Sequence, residues 1–256
     1  MSIKLVLCDL DGTLLTSQKT ISEQNKKAFN CLKKQGILTG FCTSRGRPNV
    51  LEYENFIQPD ILICNGGGSI FYKNELVSTN TFSLEETRTL LKTAKEVCGP
   101  NCEITLDTLN KLYWNRHHDK STDYAPDSIF TDFEDFPESA LKICVQTQDK
   151  SKAEKIAKSI PECDYLPFSD IPWFKFSNKD AVKEKAIEFL CGYLKISTSE
   201  IAAFGDDFND IGMLKMCGTG VAMKNAIPEV KQACKYTTLS NDEDGVAAFI
   251  FQNILN

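Results

Sequence analysis

The run Lys4-Leu5-Val6-Leu7-Cys8 followed by Asp9-Leu10-Asp11-Gly12 constrains this chain more than any other stretch. The apolar run reads as a strand buried on both faces, as in parallel sheets covered by helices on each side. It ends in two carboxylates and a glycine, and the carboxyl ends of strands are where open α/β sheets bind ligands. Asp9 and Asp11 have one residue between them, so on extended backbone they point the same way. Carboxylates that close repel unless a cation or a proton lies between them. Gly12 lets backbone amides approach an anion. Alone, the same residues also describe a solvated turn after a core strand.

The chain repeats this arrangement. Ser22 can cap a helix from Glu23 to about Gln35, with Ala28, Phe29 and Leu32 on one face and Gly36 where a left-handed residue ends it. The run Ile37 to Cys42 predicts a second strand, ending in Thr43-Ser44-Arg45-Gly46-Arg47. These hydroxyls and guanidinium groups suit a phosphate, although Thr43 and Ser44 also suit a helix cap. Ile61 to Cys64 predicts a third strand, ending in Asn65-Gly66-Gly67-Gly68, which is either a flexible turn or a close approach of backbone to ligand. Ser69 to Val77 alternates about Lys73-Asn74 and predicts a hairpin.

From Phe82 the pattern changes. Ser83-Leu84-Glu85-Glu86 is a capping box for a helix reaching about Val97, and strand character follows at Cys102 to Leu106, Lys111 to Asn115 and Ala140 to Thr147. With a helix at Lys152 to Ser159 and aromatic runs near Tyr165 and Trp173, the block predicts helices on an antiparallel sheet. The βα alternation resumes near Asp180. A helix from Val182 to Leu194 leads to the strand Ile201 to Phe204, which breaks into Gly205-Asp206-Asp207-Phe208-Asn209-Asp210. Asp9/Asp11, Thr43/Ser44, Lys183 and Asp206/Asp210 therefore all fall at strand ends or in the following helix. On one parallel sheet their common edge gathers acids, hydroxyl and amide donors and an ammonium, the inventory for Mg²⁺ with a phosphoryl group.

Composition narrows the alternatives. The chain has 256 residues, 42% of them hydrophobic, enough for one large or two modest domains. The net charge of -6 and pI near 5.1 argue against nucleic acid or an anionic membrane surface as partners. No charged n-region precedes an apolar segment, and no segment is long enough for a bilayer, so a cytoplasmic location is expected. The 11 cysteines include no C-x-x-C pair and fall largely in apolar runs, where a thiol behaves as a small hydrophobe. His117 and His118 are adjacent rather than at ligand spacing, so no zinc site is expected beside Cys98 and Cys102.

With these motifs in hand, the chain resembles the haloacid dehalogenase superfamily of phosphatases, specifically its Cof-type branch (subfamily IIB). Asp9-Leu10-Asp11-Gly12-Thr13-Leu14 is similar to that family's first motif, Thr43-Ser44-Arg45 to its T-G-R second motif, and Gly205-Asp206-Asp207-Phe208-Asn209-Asp210 to its G-D-x-x-N-D motif. Gly220-Val221-Ala222-Met223 and Asp244-Gly245-Val246 resemble its closing segments. Lys183 keeps the family's K-x-x-A-[IL] pattern, which Lys179 and Lys185 do not. Two departures are visible: Ser44 and Glu184 stand where the family usually has glycine.

The resemblance implies an α/β fold: a Rossmann-like parallel-sheet core over residues 1–81 and 179–256, with an inserted α+β cap of the C2 type over 82–178. It also implies an Mg²⁺-dependent phosphatase of small phosphorylated metabolites, sugar phosphates first. Asp9 is then the nucleophile, forming an aspartyl-phosphate, and Asp11 the acid and base. Asp9, the Asp11 carbonyl and Asp206 hold Mg²⁺, with Asp210 acting through water. Thr43, the Ser44 amide and Lys183 hold the phosphoryl oxygens, and Gly12, Asn65, Gly66 and Asn209 complete the phosphate and substrate contacts. Alternatives within reach of the same residues are a phosphomutase and a sugar-phosphate-binding regulator without turnover. Tyr113, Trp114, Arg116, Trp173 and Lys175 are the cap candidates for contact with the leaving group. The expected partner is a small-molecule phosphate ester, bound by a monomer or weak homo-oligomer.

Overall fold

The structure is a computed structural model that describes residues 2–117, 127–168 and 171–255. β1 (Leu5–Cys8) is buried along its whole length. The backbone then makes a widened turn over Leu10–Leu14, closed by the Leu14 amide on Asp9 O (3.3 Å) and the Leu15 amide on Leu10 O (2.8 Å). α1 (Glu23–Lys34) starts at Ser22, whose hydroxyl accepts the Asn25 amide at 3.1 Å, and Gly36 beyond its end has φ +74°. β2 (Leu38–Cys42), α2 (Leu51–Ile57) and β3 (Ile61–Cys64) follow. α2 has no counterpart in the sequence reading, because only Tyr53 and Ile57 are buried on it, a stripe too short to show a period. β4 (Ser69–Tyr72) and β5 (Glu75–Thr79) flank Lys73 and Asn74, whose φ of 49° and 69° give the turn the twist a tight hairpin needs.

The inserted segment holds α3 (Leu84–Cys98), β6 (Ile104–Asp107), β7 (Leu112–Trp114), β8 (Ile129–Phe130), β9 (Lys142–Gln146), α4 (Lys150–Ala157), β10 (Cys163–Pro167) and β11 (Trp173–Asn178). The capping box at α3 is formed in both directions, the Glu86 amide on Ser83 Oγ (3.2 Å) and the Ser83 amide on Glu86 Oε2 (2.7 Å). The chain then returns through α5 (Lys183–Leu194), β12 (Ile201–Gly205), α6 (Ile211–Met216), β13 (Thr219–Ala222), α7 (Pro228–Ala233), β14 (Tyr236–Thr237) and α8 (Gly245–Phe249).

Two compact units result, one of Met1–Arg45, Val50–Ser78 and Val182–Asn256, the other of Gly46–Asn49 and Thr79–Ala181. The first carries an eight-stranded sheet in the order β14-β13-β12-β1-β2-β3-β4-β5, parallel from β14 to β3 and antiparallel between β3 and β4. From β1 the chain goes to β2 on one side and later returns to β12 on the other. The β1/β12 crevice is thus the point where strand order reverses, the ligand-binding position of such sheets. Leu5, Leu7, Phe41 and Phe204 are fully buried there, each contributing about 1.5–3 kcal/mol by removal from water.

The second unit has the order β10-β11-β9-β6-β7-β8, antiparallel except for the β7/β8 pair. Strand alternation divides its residues. Ile104, Leu106, Tyr113, Ile143, Val145, Phe174 and Phe176 join the core with Leu90, Leu91 and Ile156 of the helices. The opposite face carries the row Lys175–Cys144–Thr105–Trp114, by register across β11, β9, β6 and β7. Tyr113 therefore belongs to the unit's core, its ring edge-on to Phe136 at 5.0 Å and its hydroxyl donating to Glu138. Trp114, Trp173 and Lys175 lie on the other face, with Trp114 and Trp173 edge to face at 6.5 Å and the Arg116 guanidinium 5.3 Å from the Trp114 ring. His118 lies outside the described residues, and among those described no helix is long and apolar enough to cross a membrane.

Candidate active site

β1 ends by donating the Asp9 amide to Phe204 O of β12 (3.0 Å), which fixes Asp9 in the β1/β12 crevice at 8% exposure. The following turn needs Gly12: its φ is +73°, and a Cβ there would run into the Asp206 carboxylate. Two buried asparagines hold the segment from below. Asn25 donates to Leu14 O (3.5 Å) while accepting the Ala247 amide (3.0 Å), and Asn241 donates to Leu15 O (2.9 Å). Asn225 secures the turn itself by donating to Gly12 O at 2.7 Å.

The end of β12 supplies the facing acids. Asp210 Oδ2 accepts the amides of Asp206 (2.9 Å) and Asp207 (3.2 Å), so it closes the turn that presents Asp206, and Thr13 Oγ1 donates to Asp206 Oδ1 at 2.8 Å. Lys183, the first residue of α5, sends its ammonium to Asp9 Oδ1 at 2.7 Å and to Asp210 Oδ1 at 2.6 Å. Carboxylate oxygens of Asp9, Asp206 and Asp210 lie within 4.8 Å of one another. This all-oxygen donor set fits a hard divalent ion.

The electrostatics follow from three acids sharing one buried ammonium. Burial pushes Asp9 well above the usual carboxylate range; Lys183 opposes the rise and Asp210 and Asp206 add to it. Burial also carries Asp206 up to about 7, against the Thr13 hydrogen bond and with the help of Asp210. For Lys183 burial acts downward, yet the Asp210 and Asp9 carboxylates hold it well above its ordinary value. A divalent cation among these oxygens would favour the ionised acids.

Asp11 stands apart from that trio. Arg45 grips it in a fork, Nε to Oδ2 at 2.6 Å and Nη2 to Oδ1 at 2.8 Å, and Lys19 Nζ adds a bond to Oδ1 at 2.7 Å. Burial alone would raise this carboxyl, but hydrogen bonds from Arg45 and Lys19, with their charges, bring it down to about 2. Arg45 was visible as part of a basic strand end; Lys19, alone in a loop, gave no signal.

The ends of β2 and β3 are joined by backbone bonds: the Thr43 amide on Ile63 O (2.9 Å), the Asn65 amide on Arg45 O (2.8 Å) and the Gly66 amide on Thr43 O (2.9 Å). Thr43 is 1% exposed, and its hydroxyl accepts the Arg45 amide at 3.1 Å, a local turn bond that leaves its proton to donate elsewhere. Ser44 follows it, half-buried. The Gly66 N–H is thus committed to the protein. Asn65, at φ 54°, is fully buried with neither side-chain amide atom hydrogen-bonded. Asn209 is exposed in the Phe208–Asp210 turn, away from the buried set. The Glu184 departure from glycine is accommodated at Gly212, where a Cβ would overlap the Glu184 carboxylate.

The sequence profile of the haloacid dehalogenase-like hydrolases matches residues 6–250. The chain belongs to this family. It is similar to YxeH of Bacillus subtilis, a candidate phosphatase by name, at 30% identity over 276 aligned positions covering 98% of each chain. It is also similar to the 5-amino-6-(5-phospho-D-ribitylamino)uracil phosphatase YcsE of the same organism, at 29% identity over 98% of this chain and 95% of that one. Among solved structures, the subclass IIB sugar phosphatase BT4131 superposes with a TM-score of 0.82 at 21% identity, over 99% of this chain and all of that one, and so shares the fold. The parallel-sheet core with an inserted α+β unit is the fold that the chain shares with that structure.

Proposed function

We propose that this phosphoric monoester hydrolase acts on small phosphorylated metabolites, sugar phosphates foremost, through an aspartyl-phosphate on Asp9. The observation that carries the reading is the Lys183 ammonium held between Asp9 and Asp210 with the Asp206 carboxylate alongside. Asp9 Oδ attacks phosphorus, the ester P–O bond breaks, and the leaving alkoxide takes a proton from Asp11, which carries one only after leaving Arg45 and Lys19 and taking it from solvent. Water then attacks the aspartyl-phosphate, giving its proton to Asp11 and freeing Asp9. The covalent step divides one hard displacement into two.

Lys183, the Thr43 hydroxyl and the Ser44 amide hold the phosphoryl oxygens, and the unpaired amide of buried Asn65 is a further donor for substrate. Mg²⁺ is the expected ion, held by Asp9, the Asp11 carbonyl and Asp206 with Asp210 behind them; when bound it offsets charge that otherwise repels a carboxylate from a phosphate dianion. Asp210 already spends both oxygens on Lys183 and two amides, which favours an anchoring role for it. Residues 82–178 form the cap, which excludes water and selects the leaving group.

The turnover-free regulator is disfavoured because every group of the proposed reaction is present, and the names of YcsE and BT4131 favour hydrolysis over a mutase. Phosphate release across a panel of phosphorylated metabolites, with Mg²⁺ and with excess chelator, tests the reading. Release from at least one sugar phosphate, abolished by chelator, is expected; isomerisation without release would contradict it.

A further inference from the structure

The grip on Asp11 is itself a site. Arg45 presents a planar fork and Lys19 a point charge to one carboxylate, the geometry by which proteins recognise a carboxylate or phosphate ligand. Both cations are held in place by Tyr53, 8% exposed on α2. Its hydroxyl donates to Lys19 O at 3.1 Å, and its ring lies 5.4 Å from the Arg45 guanidinium. Lys19 also keeps a left-handed backbone, φ 58°, in a turn closed by the Lys19 amide on Thr16 O (2.9 Å) and the Thr16 amide on Thr20 O (2.9 Å). A lysine in that conformation persists only where its surroundings enforce it. The Asp11 and Lys19 side chains are 41% and 58% exposed, so the cradle opens to solvent.

If Asp11 serves the leaving oxygen, its carboxylate must leave these two cations, and three charge-assisted hydrogen bonds are given up. If one carboxylate is to reach both positions, the cradle must lie within a side-chain rotation of the bond that breaks. An anion carried by the leaving alcohol recovers the lost bonds. We propose that Arg45 and Lys19 form an anion subsite, occupied by Asp11 at rest and by a second oxyanion of the substrate, a few bonds from the ester oxygen, when Asp11 turns to the reaction. The substrates it favours are phosphate esters bearing a carboxylate or a second phosphate. This rests on the reading of Asp11 as the group that serves the leaving oxygen.

The test compares ethyl phosphate, phosphoglycolate and ethylene glycol bisphosphate as ratios of kcat/KM within each protein, so that changes common to all substrates cancel. The unaltered protein should favour at least one of the two esters that carry a second anionic group over ethyl phosphate by on the order of tenfold or more, and whichever it favours distinguishes carboxylate from phosphate. Lys19→Gln should reduce that ratio severalfold, and Arg45→Gln should bring it near unity. Arg45→Lys, which keeps the charge and loses the fork, should fall between, and serves if Arg45→Gln does not fold. Ethyl phosphate hydrolysed as well as both esters with a second anionic group, or a preference that survives in both variants, overturns the subsite alone. No phosphate from any of the three, with a sugar phosphate hydrolysed alongside, overturns the subsite; no release from any ester, sugar phosphates included, overturns the phosphatase reading with it.

Discussion

Both units bury charged side chains, and they do so differently. On the cap sheet Asp107 and Lys142 sit opposite one another on β6 and β9, 2.9 Å apart at 1% and 9% exposure. One carboxylate meets one ammonium across two strands, a cross-strand pair that fixes register. In the core three carboxylates share the single ammonium of Lys183, and two of them have carboxyls pushed upward, chiefly by burial and further by their acidic neighbours. The matched pair is balanced in charge in the folded chain, although Asp107 Oδ1 takes no hydrogen bond; an unmatched cluster is stable only with a proton or a further cation. The comparison therefore separates buried charge that holds a fold from buried charge that awaits a ligand.

The largest effect expected is at the unmatched cluster. Asp9→Asn should lower phosphate release by roughly a thousandfold or more while circular dichroism and melting show an intact fold, since a nucleophile acts as a unit with its acid and its cation. Asp11→Asn should slow a sugar phosphate more than p-nitrophenyl phosphate by on the order of a hundredfold in single-turnover phosphorylation, because an aryl oxide departs without a proton. Equal slowing of both would leave Asp11 no role as acid. The matched pair should behave in the opposite way. Lys142→Met leaves Asp107 buried without its counterion and should destabilise the protein by about 3–5 kcal/mol in urea unfolding, with little change in kcat of the protein that remains folded.

A smaller effect sharpens the role of the cation. Asp206 titrates near 7 when folded, against 3.8 ordinarily, so between those values the folded chain holds a proton that the unfolded chain releases. Stability without metal should thus fall as pH rises through that window. If Mg²⁺ binds here in place of the proton, the increase in Tm on adding Mg²⁺ should be greater at about pH 8 than at about pH 5.5. An increase independent of pH would place the ion elsewhere. Smallest is the effect within the cap: Trp173→Ala and Lys175→Met should reorder the preferred substrates, whereas Tyr113→Phe, in the unit's core, should lower stability and leave the order unchanged.

Legibility in the sequence followed the same division. Asp9, Asp206 and Lys183 were readable because each ends a buried strand or opens a helix, where backbone geometry leaves little choice of direction. The parallel core and the antiparallel insert were readable from the change of period near Phe82. Asp11 was not fully readable, since its partners come from loops 8 and 34 residues away and loop direction carries no period. Asn25 and Asn241 were missed for a similar reason: a buried asparagine that ties two segments together looks in sequence like any polar residue. Tyr113 and Trp114 show the limit within a strand. They are adjacent and both aromatic, and only the register against β6 tells which faces the helices.

Phosphoryl transfer through Asp9 is the step on which the proposed reaction depends. The direct measurement is rapid acid quench of Asp11→Asn after mixing with p-nitrophenyl phosphate and Mg²⁺, followed by borohydride reduction and peptide mass spectrometry. A burst of nitrophenol matched by modified enzyme is expected, with the modification on the Asp9 side chain and none in Asp9→Asn. Turnover without any modified Asp9 would contradict it and assign the attack to water.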